Sequence, residues 1–171
     1  MNRHQSYTIK KVQVDNSHQV VAFMMKIRKE IFPMLSQDPL PTDLLHFEQH
    51  YIHRENAVVY AAFSPDEKVL GTIGIQIYDG RFSQLKKFYH QINTAEIVKC
   101  YIDSNYRRLG IGTALFNKAL GFCCDVGYQK LYLHTHPFLP GAIPFWKAKG
   151  FEDRLAEEDL IWNTLHMDMK L

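Results

Sequence analysis

The sequence predicts a single mixed αβ domain over residues 1–171, and three observations predict it. Apolar residues suited to strands gather at 57–64, 69–78, 95–102 and 130–135, the second run alternating Ile73, Ile75 and Ile77 with Gly74 and Gln76. Apolar residues at helical spacing occupy Val20, Met24, Ile27 and Ile31, then Leu44, Phe47 and Tyr51, then Ile111, Leu115, Ala119, Phe122 and Val126. The two kinds of stretch interleave, with no repeat, linker or low-complexity tract between them. The resulting order is β-α-α-β-β-(short insert helix)-β-α-β-α-β-β, which belongs to the α/β class.

Each element has its own signals. Tyr7 to Val14 alternates weakly and reads as a first strand. Asn16 or Ser17 can cap the helix that follows, and Pro33 stops it. Residues 34–41 form a loop, and a second helix over Thr42 to His53 buries Leu44, Phe47 and Tyr51. The two strands at 57–64 and 69–78 pair around Pro65-Asp66-Glu67-Lys68. In residues 79–93, Phe82, Leu85, Phe88 and Ile92 recur at helical spacing and predict a short inserted helix. After the strand at 95–102, a helix over Thr113 to Val126 ends at Gly127. The strand Lys130 to Thr135, a short helix over Ala142 to Lys149, and strands near 155–160 and 163–170 complete the chain.

Composition narrows the possible functions. A hydrophobic content of 46% with 22% charged residues over 171 positions is that of a folded domain. A net charge of +2 argues against a general nucleic-acid binder, while leaving room for a local basic patch. Met1 to Ser6 lacks the apolar run of a signal peptide, and no stretch approaches the roughly 20 apolar residues that cross a bilayer. Cys100, Cys123 and Cys124 are odd in number and without metal-ligand spacing, so they read as reduced, packing residues. The expectation is a cytoplasmic protein with no membrane, nucleic-acid or metal partner.

The most informative segment is Arg107-Arg108-Leu109-Gly110-Ile111-Gly112, between a strand and a long helix. The first turn of a helix carries unpaired N–H groups and partial positive charge. Glycine lets an anion approach those donors, and arginine adds forked donors matched to phosphate. A P-loop would need Gly-Lys followed by Ser or Thr, and no such run exists. A Rossmann loop would need three glycines and a later acidic residue, and only two glycines are present. The Arg-x-x-Gly-x-Gly pattern then fits a pyrophosphate turn, or a helix start whose glycines only permit close packing.

Its surroundings resemble the GNAT family of N-acetyltransferases. Ile102-Asp103-Ser104-Asn105-Tyr106 leads into Arg107, and Ala142-Ile143-Pro144-Phe145-Trp146-Lys147-Ala148-Lys149-Gly150-Phe151 follows at the family's separation. The resemblance covers the chain from about residue 7 onward. It implies a twisted mixed central sheet of six to seven strands flanked by helices, and acetyl-CoA (coenzyme A) as cofactor. Backbone N–H groups from Arg107, Arg108, Leu109, Gly110, Ile111 and Gly112, with Thr113 nearby, would hold the pyrophosphate. Cys100, Tyr101 and Ile102 would pair with the pantetheine arm as an added strand does. Phe145 and Trp146 would lie toward the thioester.

Acetyl transfer needs a neutral amine, and a lysine-like amine is only about 0.04% neutral at pH 7. A positioned base offsets part of that cost. In Ala95-Glu96-Ile97-Val98-Lys99-Cys100, Glu96 matches the glutamate that serves as base in the histone-acetylating branch of the family, acting here through water. The other reading of Glu96 is a strand glutamate facing solvent. Trp146 departs from the family, where a tyrosine commonly protonates the leaving thiolate; indole is no usable acid. Tyr132, His134 and His136 share a strand parity and are either substitutes or half-buried strand residues, so the acid is unassigned. His46, His50 and His53 share a helical face and suggest a metal site, a solvated face or a rim of the acceptor pocket. The 79–93 insert would cover the acceptor pocket, form a homodimer contact, or merely pack its aromatics.

The expected reaction is direct attack by a small-molecule or peptide amine on the thioester. Cys100 would pack rather than act as a nucleophile. The alternative is a non-catalytic CoA-binding regulatory module.

Overall fold

The computed structural model describes residues 6–89 and 93–171. Among these, the strands are β1 (Thr8–Lys11), β2 (Val58–Phe63), β3 (Val69–Ile77), β4 (Thr94–Ile102), β5 (Lys130–Thr135), β6 (Glu152–Ala156) and β7 (Leu165–Lys170). The helices are α1 (Val14–Ile31), α2 (Thr42–Leu45), α3 (Ile111–Val126) and α4 (Ala142–Ala148). The strands form a seven-stranded sheet in the order β1-β2-β3-β4-β5-β7-β6. The β4–β5 pair is parallel and β5–β7 antiparallel, so the sheet is mixed.

Several boundaries differ from expectation for local reasons. β1 is shorter than predicted, at four residues. Helix α1 starts at Val14, because Asn16 lies in its first turn and its side chain accepts from the Gln13 N–H at 3.0 Å. The second helix is broken: His46 leaves the helical region, and a wide turn over Glu48–Ile52 follows. Leu44, Phe47 and Tyr51 are buried all the same. Among the described residues of the predicted insert helix, 79–89 hold a short turn over Ser83–Leu85, since Phe82 is extended; Ile92 lies outside the described residues. Helix α3 begins two residues early, at Ile111. Strand β6 ends at Ala156, before the Asp159 carboxylate turns the chain by accepting from the Ile161 and Trp162 N–H groups at 2.8 and 2.6 Å.

The chain divides into two compact units. The first comprises Met1–Gln76 and Val98–Phe122. In its core, Val20, Met24 and Ile27 of α1 pack with Leu44, Phe47 and Tyr51 and with Val59, Ala61 and Phe63 of β2. Tyr101 of β4 packs on this cluster. Gly71 of β3 permits a close approach, since a Cβ there would stand 2.7 Å from Ile102 Cδ1 and 3.0 Å from the Tyr101 carbonyl. Lys99 interrupts β4 with a φ of 52°, a left-handed conformation that is costly for a residue with a side chain. Three contacts hold it: Thr72 Oγ1 donates to its carbonyl at 2.8 Å, its ammonium meets Asp43 at 3.0 Å, and Tyr51 Oη donates to the same carboxylate at 2.6 Å.

The second unit comprises Ile77–Ile97 and Cys123–Leu171. Tyr78, Leu85, Tyr89 and Tyr132 form its aromatic core, with Phe82, Phe88 and Leu155 packed against them. The segment after β3 is fastened by polar anchors. Tyr89 Oη donates to the buried Asp168 at 2.8 Å, and Arg154 forks onto the same carboxylate at 2.8 and 2.6 Å. Lys130 Nζ donates to the Phe88 carbonyl at 3.0 Å. Pairing of β5 with β4 runs from Thr94↔Lys130 to Glu96↔Tyr132, while β7 accompanies β5 as far as Thr135.

Candidate active site

The basic turn lies in the first unit and is built by the chain leaving β4. Asp103 N–H donates to the Leu70 carbonyl at 3.0 Å, and its carboxylate accepts from the Asn105 N–H at 3.0 Å. Arg107 is extended, Arg108 is left-handed at φ 62° and Gly110 at 82°. Left-handed Arg108 and Gly110 fold the backbone into a turn directly ahead of α3. Ala114 N–H makes the first bond into α3, to the Gly110 carbonyl at 2.9 Å. The amides of Ile111 and Gly112 precede that bond and project from the helix end. Ile111 is buried, anchoring the turn, whereas Arg107, Arg108, Leu109 and Gly110 are exposed. The turn is therefore exposed and carries two guanidinium groups beside a helix start, a donor set that fits pyrophosphate.

The strand that would pair with the cofactor, Cys100, Tyr101 and Ile102, is half-buried. Burial pushes the Cys100 thiol up to about 12, so it holds its proton at neutral pH and is a poor nucleophile.

In the second unit, Glu96 is 0% exposed, which overturns the solvent-facing alternative. Arg81 Nη1 donates to Glu96 Oε2 at 2.8 Å and Nη2 to Oε1 at 2.5 Å. Asp79 steadies the guanidinium from behind at 2.9 Å, and Arg81 lies 4.5 Å over the Phe82 ring. Burial alone would raise the Glu96 carboxyl, but the Arg81 hydrogen bonds, with help from His134, hold it down at about 2. His134 Nδ1 stands 3.6 Å from Glu96 Oε1. That nitrogen is buried and without a hydrogen-bond partner, although the side chain as a whole is 31% exposed, so the ring opens outward through its other atoms.

The other two residues of that parity point elsewhere. Tyr132 is fully buried and bonded to His166 Nδ1 at 2.8 Å; burial, and then the Glu96 charge, raise its phenol. His136 is buried with Nδ1 3.1 Å from the Trp162 carbonyl, and burial lowers its imidazole. Trp146 is buried edge-on between Phe145 and Phe151, at centroid distances of 4.8 and 5.5 Å. Its indole fills a core site on α4. His46, His50 and His53 fall across the break in the second helix, and among the described residues no group of three or more His, Cys, Asp or Glu side chains is placed to hold a metal ion. Among the described residues no helix is long and apolar enough to cross a membrane.

Arg81 is the site residue that sequence reading missed. Its signal was slight: an arginine two residues after Asp79, in a segment whose aromatics and two lysines drew more notice.

The model of the acetyltransferase (GNAT) family matches residues 21–151. The chain belongs to the GNAT family. Human N-acetyltransferase 8 is 26% identical over 126 residues, which cover 74% of this chain and 52% of that protein. The chain thus spans about half the length of this curated relative. A GNAT-family acetyltransferase from Staphylococcus aureus Mu50 superposes with a TM-score of 0.74 at 19% identity, covering 96% of this chain and 99% of the other. The PaiA N-acetyltransferase of Thermoplasma acidophilum, solved in complex with coenzyme A, gives a TM-score of 0.68 at 18% identity, over 97% and 99% of the two chains. These likenesses establish the GNAT acyltransferase fold. GNAT enzymes draw their acetyl group from acetyl-CoA.

Proposed function

We propose that the protein is an acetyl-CoA-dependent N-acetyltransferase, its acceptor a primary amine of a small molecule or peptide. The observation that carries this reading is the Arg107–Thr113 turn: left-handed Arg108 and Gly110, exposed guanidinium groups, and a helix start aimed outward, within the matched family region. Acetyl-CoA supplies an activated acyl group whose thiolate departs as the amine nitrogen bonds to the carbonyl carbon. No covalent enzyme intermediate is needed, in keeping with the protonated Cys100.

Glu96 takes part through a neighbour. A carboxylate held at about 2 takes a proton weakly at neutral pH. The neighbour is His134, whose buried Nδ1 stands 3.6 Å from Glu96 Oε1. The proton released by the attacking amine passes through water toward this pair, and the Glu96 carboxylate stabilises the charge it brings. The thiol of coenzyme A resembles that of cysteine, with a pKa of about 8.5, so an acid at Trp146 is not required.

Two measurements test this. Acetyl-CoA at about 100 times its Kd should stabilise the fold by roughly 2.7 kcal/mol in a thermal-shift titration. Arg107→Ala with Arg108→Ala should weaken that binding by roughly tenfold or more, as loss of charge-assisted contacts requires. No shift at millimolar acetyl-CoA sinks the cofactor assignment. Cofactor binding without coenzyme A release over a broad amine panel would instead favour the regulatory module.

A further inference from the structure

Tyr7 stands immediately ahead of β1, and its hydroxyl reaches the head of α3, within the first unit. A Cβ built on Gly110 would meet Tyr7 Oη at 3.5 Å. Among the described residues no other heavy atom beyond Gly110 and its two chain neighbours lies within 4 Å of that point. Gly110 is left-handed at φ 82°, and its carbonyl accepts the Ala114 N–H that opens the helix. A side chain at position 110 would therefore cover the hydroxyl, whereas glycine leaves that side of it clear. We propose that Tyr7 is a further cofactor-binding residue, its hydroxyl donating a hydrogen bond to the pyrophosphate of coenzyme A. This rests on the acetyl-CoA reading above.

Position, chemistry and an uncommitted donor agree here. Thr8 pairs with Phe63 of β2, so the backbone that carries the ring is tied into the sheet, and Tyr7 itself is half-buried. Among the described residues its hydroxyl enters no hydrogen bond, so the donor is uncommitted. A phosphate group presents several strong acceptor oxygens, more than the Ile111 and Gly112 amides can engage. Arg107 and Arg108 add charge on exposed side chains. A phenol on a fixed ring adds direction, and hydrogen bonds to an ionised acceptor are the strong kind. Tyr7 lies outside residues 21–151, the stretch matched by the family model, so no motif of that stretch marks it.

Calorimetric titration of Tyr7→Phe tests this, since the variant keeps the ring and loses only the hydroxyl. The probes are coenzyme A and dephospho-coenzyme A, which keeps the pyrophosphate and lacks the 3′-phosphate. Both should bind roughly tenfold more weakly than to the wild type, as loss of one charge-assisted hydrogen bond requires, while thermal unfolding without ligand stays at the wild-type temperature. Wild-type affinity in folded Tyr7→Phe overturns the proposal. A loss confined to coenzyme A also overturns it, because the hydroxyl would then serve the 3′-phosphate. A measurement that needs no variant fold reads the wild type labelled with 13C at tyrosine Cζ, in which only Tyr7→Phe is used to assign the signal. The Tyr7 resonance should shift on saturation with either ligand, and a resonance that stays in place overturns the proposal. If the wild type binds neither ligand at millimolar concentration, the cofactor assignment itself falls, and the role of Tyr7 with it.

Discussion

The Arg81–Glu96 pair should make stability depend on pH in a way one substitution isolates. Glu96 has an ordinary value of 4.5 and is held at about 2 in the fold. Because the folded value is the lower one, the unfolded chain binds the proton first on acidification. The stabilisation is fully present above pH 4.5 and drains away as pH falls toward 2. At about 1.4 kcal/mol per unit, the 2.5-unit difference amounts to roughly 3 kcal/mol, of which about 1.4 remains at pH 3. Glu96→Gln cannot titrate. Urea unfolding of both proteins, followed by tryptophan fluorescence, should give a stability difference that drifts by about 3 kcal/mol against the wild type between pH 6 and pH 2. Other carboxylates titrate in both proteins and largely cancel in the difference. If the two curves stay parallel within about 0.5 kcal/mol, Glu96 is not held as an anion by Arg81, and the proton-transfer scheme loses its foundation.

Three further outcomes follow from other places in the molecule. Gly110→Ala puts a side chain at φ 82°, so thermal unfolding should show a cost of about 1–2 kcal/mol, and calorimetric titration a weakened hold on acetyl-CoA. Gly71→Ala sets a Cβ 2.7 Å from Ile102 Cδ1, and the overpacking should cost about 1–3 kcal/mol in urea unfolding. Asp168→Asn leaves Tyr89 and Arg154 without their carboxylate; a loss of roughly 3 kcal/mol is expected, with faster hydrogen exchange over residues 82–89.

Residues whose roles are set locally were legible before any coordinates. The alternation of Leu131 and Leu133, the Arg107–Gly112 turn and Gly127 each announce their structure through spacing or backbone preference, and the family resemblance and fold drawn from them were borne out. Residues whose roles come from distant partners were not. Phe82, Leu85 and Phe88 have helical spacing, yet the chain there is set by what Arg81 and Tyr89 reach, Glu96 and Asp168. Periodicity cannot see a salt bridge between residues 15 apart, nor a phenol bonded across 79. The same blindness applied to Glu96, whose character depends on a guanidinium no motif predicts. Lys99 gave no sign of its left-handed backbone, because its supports, Thr72 and Asp43, are remote in sequence.

The anchoring of residues 79–89 also bears on how this segment could change in sequence. Arg81 and Tyr89 hold the segment at its two ends, each on a buried strand carboxylate. A loop transplanted from a relative would strand both acids, with two separate penalties and no gain until both were repaired. Residues 81, 89, 96 and 168 would have to be exchanged as a set. Variation is therefore more accessible through side chains on the exposed side of the segment, such as Lys86 and Lys87, than through a change in its length.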